Sequence, residues 1–515
     1  MANKGLFASA VAKLLPRTDT LNREGAPSYA YGPKAKLAHL AATGTLADNF
    51  YDAAETQLAD VLDAARAVDP YFVAQAAVYA RTSGTMKDMP ALLAAYLTVA
   101  DPDLAVRVFG QVVNNGRMLR SFVQIMRSGQ VGRSSLGTRP KRLVQQWLEQ
   151  ASIRDLMHAA TGTAPSLADI VKMVHQRPAD AERKAFYGWL IGRPYDVAAL
   201  PVEIAAFEAW KQDRMLPLPQ VPFEWLTAYP LSAEQWAELA GRMGWQALRM
   251  NLNMLARNGA FGVEGLADQV AARLADRDAL RAVRPMPYQL MVALGQVGNG
   301  VPLKVQAALE EALELSLQGV RQVPGRVVVC PDVSGSMQSP VTGYRKGASS
   351  KVRCIDVAAL VAAAMLRSNR EARVIPFEQV VVPVTLKATD RIAANAAKLA
   401  AVGGGGTNVS APLALLNKEK AAVDLVVIVS DNESWVDAQR SGSTATMQEW
   451  TKLAKRNLQA KLVCIDIAPY GTTQAASRQD ILNVGGFSDA VFDTIARFVS
   501  GETQDWVSIV EQVEV

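Results

Sequence analysis

Two patterns of apolar residues divide this chain near residue 320. Before it, apolar positions recur every three or four residues in ETQLADVLDAARAV, PYFVAQAAVYAR, PALLAAYLTVA, LAVRVFGQVV and SFVQIMRS. That spacing places them on one helical face, so the region predicts helix after helix. Asp-Pro pairs punctuate the helix starts, at Asp69-Pro70 and Asp101-Pro102. An Asp caps a first turn well, and Pro suits the first helical position. Helical pairs recurring at this interval predict an α-solenoid of HEAT or related type, whose curved surface is a binding surface.

Beyond residue 324 the pattern changes. Short Val/Ile-rich runs alternate with helical ones: RVVVCPD, CIDVAALVAAAMLRSN, ARVIPFEQVVVPV and a helix to Ala401. After the loop GGGGTN come APLALLNKE, DLVVIVSDN, ATMQEWTKLAKRN and KLVCIDIAP. Strands that are apolar throughout, separated by helices, describe a parallel sheet covered on both faces. The expected architecture is therefore an all-α repeat region over 1–323 and a doubly wound α/β domain over 324–515. In open sheets of this kind ligands bind beyond the carboxyl ends of the strands. DVSGS and SDN both sit at such ends.

Composition adds little to this division. The 515 residues are too many for one ordinary core. With 50% apolar and 20% charged residues, the chain is a folded protein. The basic excess, 54 Lys+Arg against 49 Asp+Glu, matters only where it clusters. Cys330, Cys354 and Cys464 form no CxxC pair, and two lie in strand-like runs, so buried free thiols in a reducing cytoplasm are expected. The start, MANKGLFASAVAKLLPR, is amphipathic and lacks the apolar core of a signal peptide. No apolar run approaches the roughly 20 residues of a membrane span, so no membrane contact is expected.

The strand ends carry the candidate chemistry. Asp332, Ser334 and Ser336 form D-x-S-x-S. Thr407 follows four glycines at 403–406, and Asp431 ends the run DLVVIVSD. All five offer hard oxygen donors, which suit Mg²⁺. No Cys or His accompanies them, which argues against zinc. If Ser334 and Ser336 merely capped the next helix, with Asp332 bonding the turn, Thr407 and Asp431 would be left unexplained. A phosphoryl-accepting Asp332 would be a third reading. However, no acid stands two residues on, and His39, His158 and His175 all lie outside this domain. No catalytic residue is assigned. The order D-x-S-x-S, GGGT, strand-terminal Asp resembles the metal-ion-dependent adhesion site of von Willebrand factor A domains. The resemblance implies that the serines and threonine bind the metal directly, that the acids act through water, and that a partner's carboxylate completes the shell.

The helical half holds one dense run of positive charge, NGRMLRSFVQIMRSGQVGRSSLGTRPKR, without an acid. Arg117, Arg120 and Arg127 fall on one helical face. Arg133, Arg139, Lys141 and Arg142 occupy a loop broken by Gly and Pro. Arginine-rich, one-signed segments suit phosphate oxygens. The bland alternative is a solvated face, or ion pairs with acids elsewhere.

Further segments carry a second resemblance: TSGTMKDMPALLAAYL, GTRPKRLVQQWLEQ, APSLADIVKMVHQRP, GWQALRMNLNMLARNGAFG, SDNESW and ILNVGGFSD. In this order the chain resembles the Ro ribonucleoprotein family, a TROVE module followed by a von Willebrand A domain, in its bacterial or phage-type form. The resemblance implies a monomeric ring of HEAT-like repeats that binds small non-coding RNAs, notably Y RNAs, on its outer surface. It implies passage of single-stranded 3′ ends of misfolded RNA through the ring, and work with exoribonucleases. Lys87, Lys141 and Arg142 fall at matching motif positions and are candidate RNA contacts. Arg249 and Asn251 match too, but can serve packing, and His175 reads as structural. One departure stands out: where family members that bind Y RNA carry a basic, aromatic stretch, this chain has MHAATGTAPS. The expected function is a non-enzymatic RNA-binding ring with a Mg²⁺-bearing A domain that closes the ring and docks an acidic protein partner. The alternative is a protein-interaction scaffold that uses the metal site without RNA.

Overall fold

The computed structural model describes residues 15–515, apart from 286, 318–319, 345–351, 370, 439–441, 469, 487–489 and 504. Most of the amphipathic start and the FSD of ILNVGGFSD lie outside the described residues. The expected helices form at Ala54–Arg66, Pro70–Thr82, Asp88–Ala100, Pro102–Val112 and Gly116–Arg127. Asp69 caps the second by accepting the Phe72 N–H at 2.9 Å. Asp101 caps the fourth by accepting from Asp103 and Leu104. Helices continue to Leu303–Ser316, and each packs on near neighbours in chain order. Among the described residues no helix is long and apolar enough to cross a membrane.

The second half is a five-stranded parallel sheet of order β4-β3-β5-β6-β8. Its strands are β3 (Val327–Pro331), β4 (Arg373–Val374), β5 (Leu425–Ser430), β6 (Lys461–Asp466) and β8 (Ile481–Gly485). β3 is buried along its whole length because helices cover both faces. Val327 and Val329 face the helices Cys354–Ser368 and Ala490–Ser500. Val328 and Cys330 face Leu413, Met447 and Trp450 on the other side. All three cysteines are buried free thiols. The run ARVIPFEQVVVPV is not the long strand its composition predicts. Arg373–Val374 pairs as strand, the Ile375 and Phe377 N–H groups still donate to Val329 O and Pro331 O of β3, and Glu378 N–H then turns back onto Val380 O.

Three elements were not legible. β1 (Thr20–Leu21) and β2 (Pro27–Ala30) form a hairpin that pairs with β7 (Thr472–Thr473), so the start of the chain is stitched to the A domain. β8 completes the sheet. The helix Trp506–Glu511 packs back on the first helices, where the Trp506 indole N–H donates to the Tyr79 hydroxyl at 3.1 Å. At the other end of the array, the helix Leu303–Ser316 lies against Ile392–Ala400, and Ile392 N–H donates to Glu314. Both ends of the helical array are thus anchored on the A domain, and one continuous hydrophobic core joins them.

His39 sits at this junction. It is 1% exposed, stacked on Tyr31 at 4.0 Å and edge-on to Trp506 at 4.6 Å. Burial holds its imidazole neutral, with the pKa lowered to about 3. Because the unfolded chain takes up this proton and the folded chain resists it, the contribution is full above about pH 6.5 and is lost as pH falls toward 3. His39→Phe should flatten that limb by up to about 1.4 kcal/mol per pH unit. Urea titrations at pH 7, 6 and 5 check this, and identical pH slopes for the two proteins would refute it.

Candidate functional site

Three loops converge beyond the carboxyl ends of β3 and β5. In the first, Asp332 Oδ1 accepts the Ser334 N–H at 2.9 Å, and Oδ2 accepts the Ser430 hydroxyl at 2.6 Å. The Asp332 N–H itself donates to Val429 O at 2.9 Å, which locks this loop to β5. In the second, Gly335 N–H donates to Gly405 O at 3.1 Å. Gly404 and Gly405 adopt φ of 126° and 77°, a region that favours glycine. In the third, the N–H groups of Trp435 and Val436 both donate to Thr407 O at 3.1 Å, and Asp431 follows β5 directly. The five expected donors are therefore brought together. Ser334 and Ser336 Oγ lie 3.4 Å apart, the Ser336 hydroxyl bonds Asp431, and none of the five is more than 6% exposed.

The electrostatics are those of uncompensated negative charge. Burial, then the charge of Asp431, pushes the Asp332 carboxyl up to about 7. Burial also raises Asp431. Glu433, absent from the sequence reading, is buried beside them and is pushed up to about 9 by burial and then by Asp431. Its signal was in the quoted SDNESW, but an acid after a turn reads as solvated. Among the described residues, neither Asp332 nor Asp431 forms an ion pair with Lys, Arg or His. Nor do three Cys, His, Asp or Glu side chains converge on a metal-binding point among those residues. Two carboxylates with three hydroxyls fit a hard divalent cation, which would relieve the buried charge.

In the helical half, Arg117, Arg120 and Arg127 lie along one side of the helix Gly116–Arg127. Arg117 and Arg120 border a groove of about 610 Å³ with Trp147 and His158. Arg127 borders the next groove, of about 800 Å³, together with Lys172. Arg120 donates to Ala159 O at 2.6 Å. Arg81, from the helix Pro70–Thr82, joins this group by donating to Asn114 Oδ1 at 2.7 Å. Burial, then the charge of Arg117, lowers the pKa of both Arg81 and Arg120. Sequence reading missed Arg81, which sits inside an apolar helical run. Among the described residues no carboxylate forms an ion pair with Arg117 or Arg120, while Asp169 lies within the field of Arg127 and Lys172. The aspartates bordering the grooves, Asp155 and Asp169, are engaged as helix caps with Ser152 and Ser166.

The other candidates lie apart from this face. Arg139, Lys141 and Arg142 lie not in the expected loop but in the helix Thr138–Gln150, and Arg139 pairs with Asp103 at 3.0 Å, so part of this charge is neutralised. The Arg133 guanidinium packs close over Gly137. Lys141 and Arg142 stand in the first turn of Thr138–Gln150, and Lys87 precedes Asp88–Ala100, next to Met86, whose carbonyl Arg81 reaches at 3.4 Å. Arg249 donates to Gln289 O and Asn251 to Ala247 O, so both serve packing. His175 closes its helix with φ of 53°, a structural position.

Residues 326–499 match the family model described as the Ro60 vWA domain. The chain is 27% identical over 364 residues to the RNA-binding protein RO60 of Deinococcus radiodurans, an alignment covering 65% of this chain and 66% of that protein. Its fold matches the crystal structure of the Deinococcus radiodurans RO (RSR) protein with a TM-score of 0.61, at 22% identity, over 92% of this chain and 100% of that one. Residues 326–499 are thus similar to a Ro60-type A domain, and the chain as a whole shares the fold of a solved Ro protein.

Proposed function

We propose that this chain is an RNA-binding protein of the Ro type that holds RNA along the Arg81, Arg117, Arg120 and Arg127 face and carries Mg²⁺ in its A domain. The observation that carries the RNA reading is that face itself. Close-set arginines without carboxylate partners repel one another, and a polyanion relieves that repulsion while gaining charge-assisted hydrogen bonds. Trp147 and His158 beside Arg117 add ring faces on which unpaired bases can stack. The relative's printed name, an RNA-binding protein, supports the same reading. Near 157–166 the chain has no Lys or Arg, so the surface favours flexible single-stranded tails over compact duplexes. From the family resemblance we take the further proposal that such tails are passed to an exoribonuclease partner. The three buried free thiols fit work in a reducing cytoplasm.

In the A domain, Ser334, Ser336 and Thr407 would bind Mg²⁺ through their hydroxyls, while Asp332 and Asp431 balance its charge. Bound there, the cation supplies a positive centre able to take a carboxylate from an acidic partner. A competition assay tests the RNA reading. Stem-loops with a single-stranded 3′ tail should displace blunt stem-loops of equal length at moderate salt, with affinity falling steeply as salt rises. Binding that ignores salt, or blunt RNA that competes equally well, would replace this reading with that of a protein-interaction scaffold.

A further inference from the structure

The metal centre lies under the chain's own N-terminal hairpin. The Asn22 side-chain amide donates to Ser434 O at 2.8 Å, and Arg23 N–H donates to Glu433 Oε2 at 2.6 Å. Both acceptors belong to the loop that begins with Asp431. The next residue, Glu24, stands in the turn between β1 and β2, where its Oε1 accepts the Tyr51 hydroxyl at 2.6 Å. Tyr51 packs edge-on against Tyr470 at 5.0 Å. Both hydroxyls lie within the field of Asp431 and Glu433, and the charge of Glu24 reaches Asp431. A second strap lies alongside: Asp48 bridges to Tyr344, whose N–H donates to Asp48 O, and Gly343 packs against Ala47. An adhesion site that waits for an outside carboxylate needs an open face. Here all five candidate ligands are buried.

We propose that Glu24 is an internal carboxylate for the A-domain metal centre, so that bound Mg²⁺ clamps the hairpin to the A domain and an outside acidic partner must displace it. The inference rests on the Mg²⁺ reading above. Its logic is charge. Without a cation, Glu24 is one more acid opposing the ionisation of Asp431, and nothing draws its carboxylate toward the site. With a divalent cation there, the same carboxylate is attracted. Tyr51 holds Glu24 in place by hydrogen bonding. Metal loading and hairpin docking are then one equilibrium, and whatever removes one loosens the other.

The test uses the full chain with Mg²⁺ alone, and then a labelled peptide bearing one Asp. In the parent, Mg²⁺ should slow hydrogen exchange of the amides at 18–30 several-fold. Glu24→Gln, at an exposed position that leaves the fold intact by circular dichroism, should bind Mg²⁺ about tenfold more weakly by calorimetry. It should also abolish the Mg²⁺-dependent protection and allow the Asp peptide to bind, which the parent excludes. Tyr51→Phe should fall between the two. If the parent binds Mg²⁺ and Glu24→Gln matches it within about twofold with unchanged exchange, the internal carboxylate is refuted while the metal assignment stands. No Mg²⁺ binding by the parent would overturn both.

Discussion

Asp332→Ala is expected to abolish Mg²⁺ binding while leaving RNA affinity within about twofold of the parent. The Asp332 carboxylate ties its own loop to the end of β5: it holds the Ser334 N–H with one oxygen and the Ser430 hydroxyl with the other. Removing it deletes one of the two charges available to balance a divalent cation. It also releases the turn that presents Ser334 and Ser336. Either loss alone weakens the site, and together they should lower affinity by at least about a hundredfold. Asp332→Asn separates the two effects, since the amide oxygen can still accept one of these hydrogen bonds while the charge is gone. It should bind Mg²⁺ weakly rather than not at all. In thermal unfolding, Mg²⁺ should raise the midpoint of the parent and leave that of Asp332→Ala unmoved. The arginine face belongs to helices that hold no part of the metal site, so RNA binding should be spared. Calorimetry showing the same Mg²⁺ affinity in Asp332→Ala as in the parent would end the metal assignment. A large loss of RNA affinity in that variant would show that the metal centre and the helical face act together.

Local pattern carried much of the fold and of the strand-end cluster proposed to hold a cation, and failed where partners are distant in sequence. Helices with their Asp-Pro starts were legible because capping and periodicity are properties of a few consecutive residues. The motif D-x-S-x-S, the glycine loop and Asp431 were legible because strand ends of a parallel sheet share one edge. The β1–β2 hairpin was not, because its third strand is Thr472–Thr473, and two-residue strands carry no periodicity. Val381 and Val382 looked like strand because β-branched residues favour it; the turn at Glu378 takes the chain back on itself before they are reached. Glu433 and Arg81 were missed for one reason. Charge in a sequence reads as solvent-facing, and only the fold shows Glu433 buried and Arg81 drawn beside Arg117. Conversely, Arg139 read as free charge, and the fold gives it Asp103.

That last difference decides which arginines matter, and it gives the second large prediction. Replacing Arg117, Arg120 and Arg127 together with Ala should weaken binding of a single-stranded RNA tail about a hundredfold near physiological salt. The slope of log affinity against log salt should become shallower by about 2, at roughly 0.7 per phosphate contact on a single strand. Arg117 and Arg120 border one groove with Trp147, and Arg127 borders a second with Lys172 and Asp169. The set Arg133, Arg139, Lys141 and Arg142 should matter less, with a loss of roughly tenfold or below. Arg139 already has Asp103, and Arg133 packs over Gly137. Neither loss should depend on tail sequence, since phosphates carry no base identity. Because Arg120 also bonds Ala159 O, the exposed pair Arg117 and Arg127 should be replaced alone as a control for folding. That double variant should keep the parent's thermal midpoint and still show about two-thirds of the triple variant's slope change. A triple variant with the parent's slope would show that this face is only solvated charge. A quadruple variant that loses more than the triple would move the RNA path to Arg133 and the start of Thr138–Gln150.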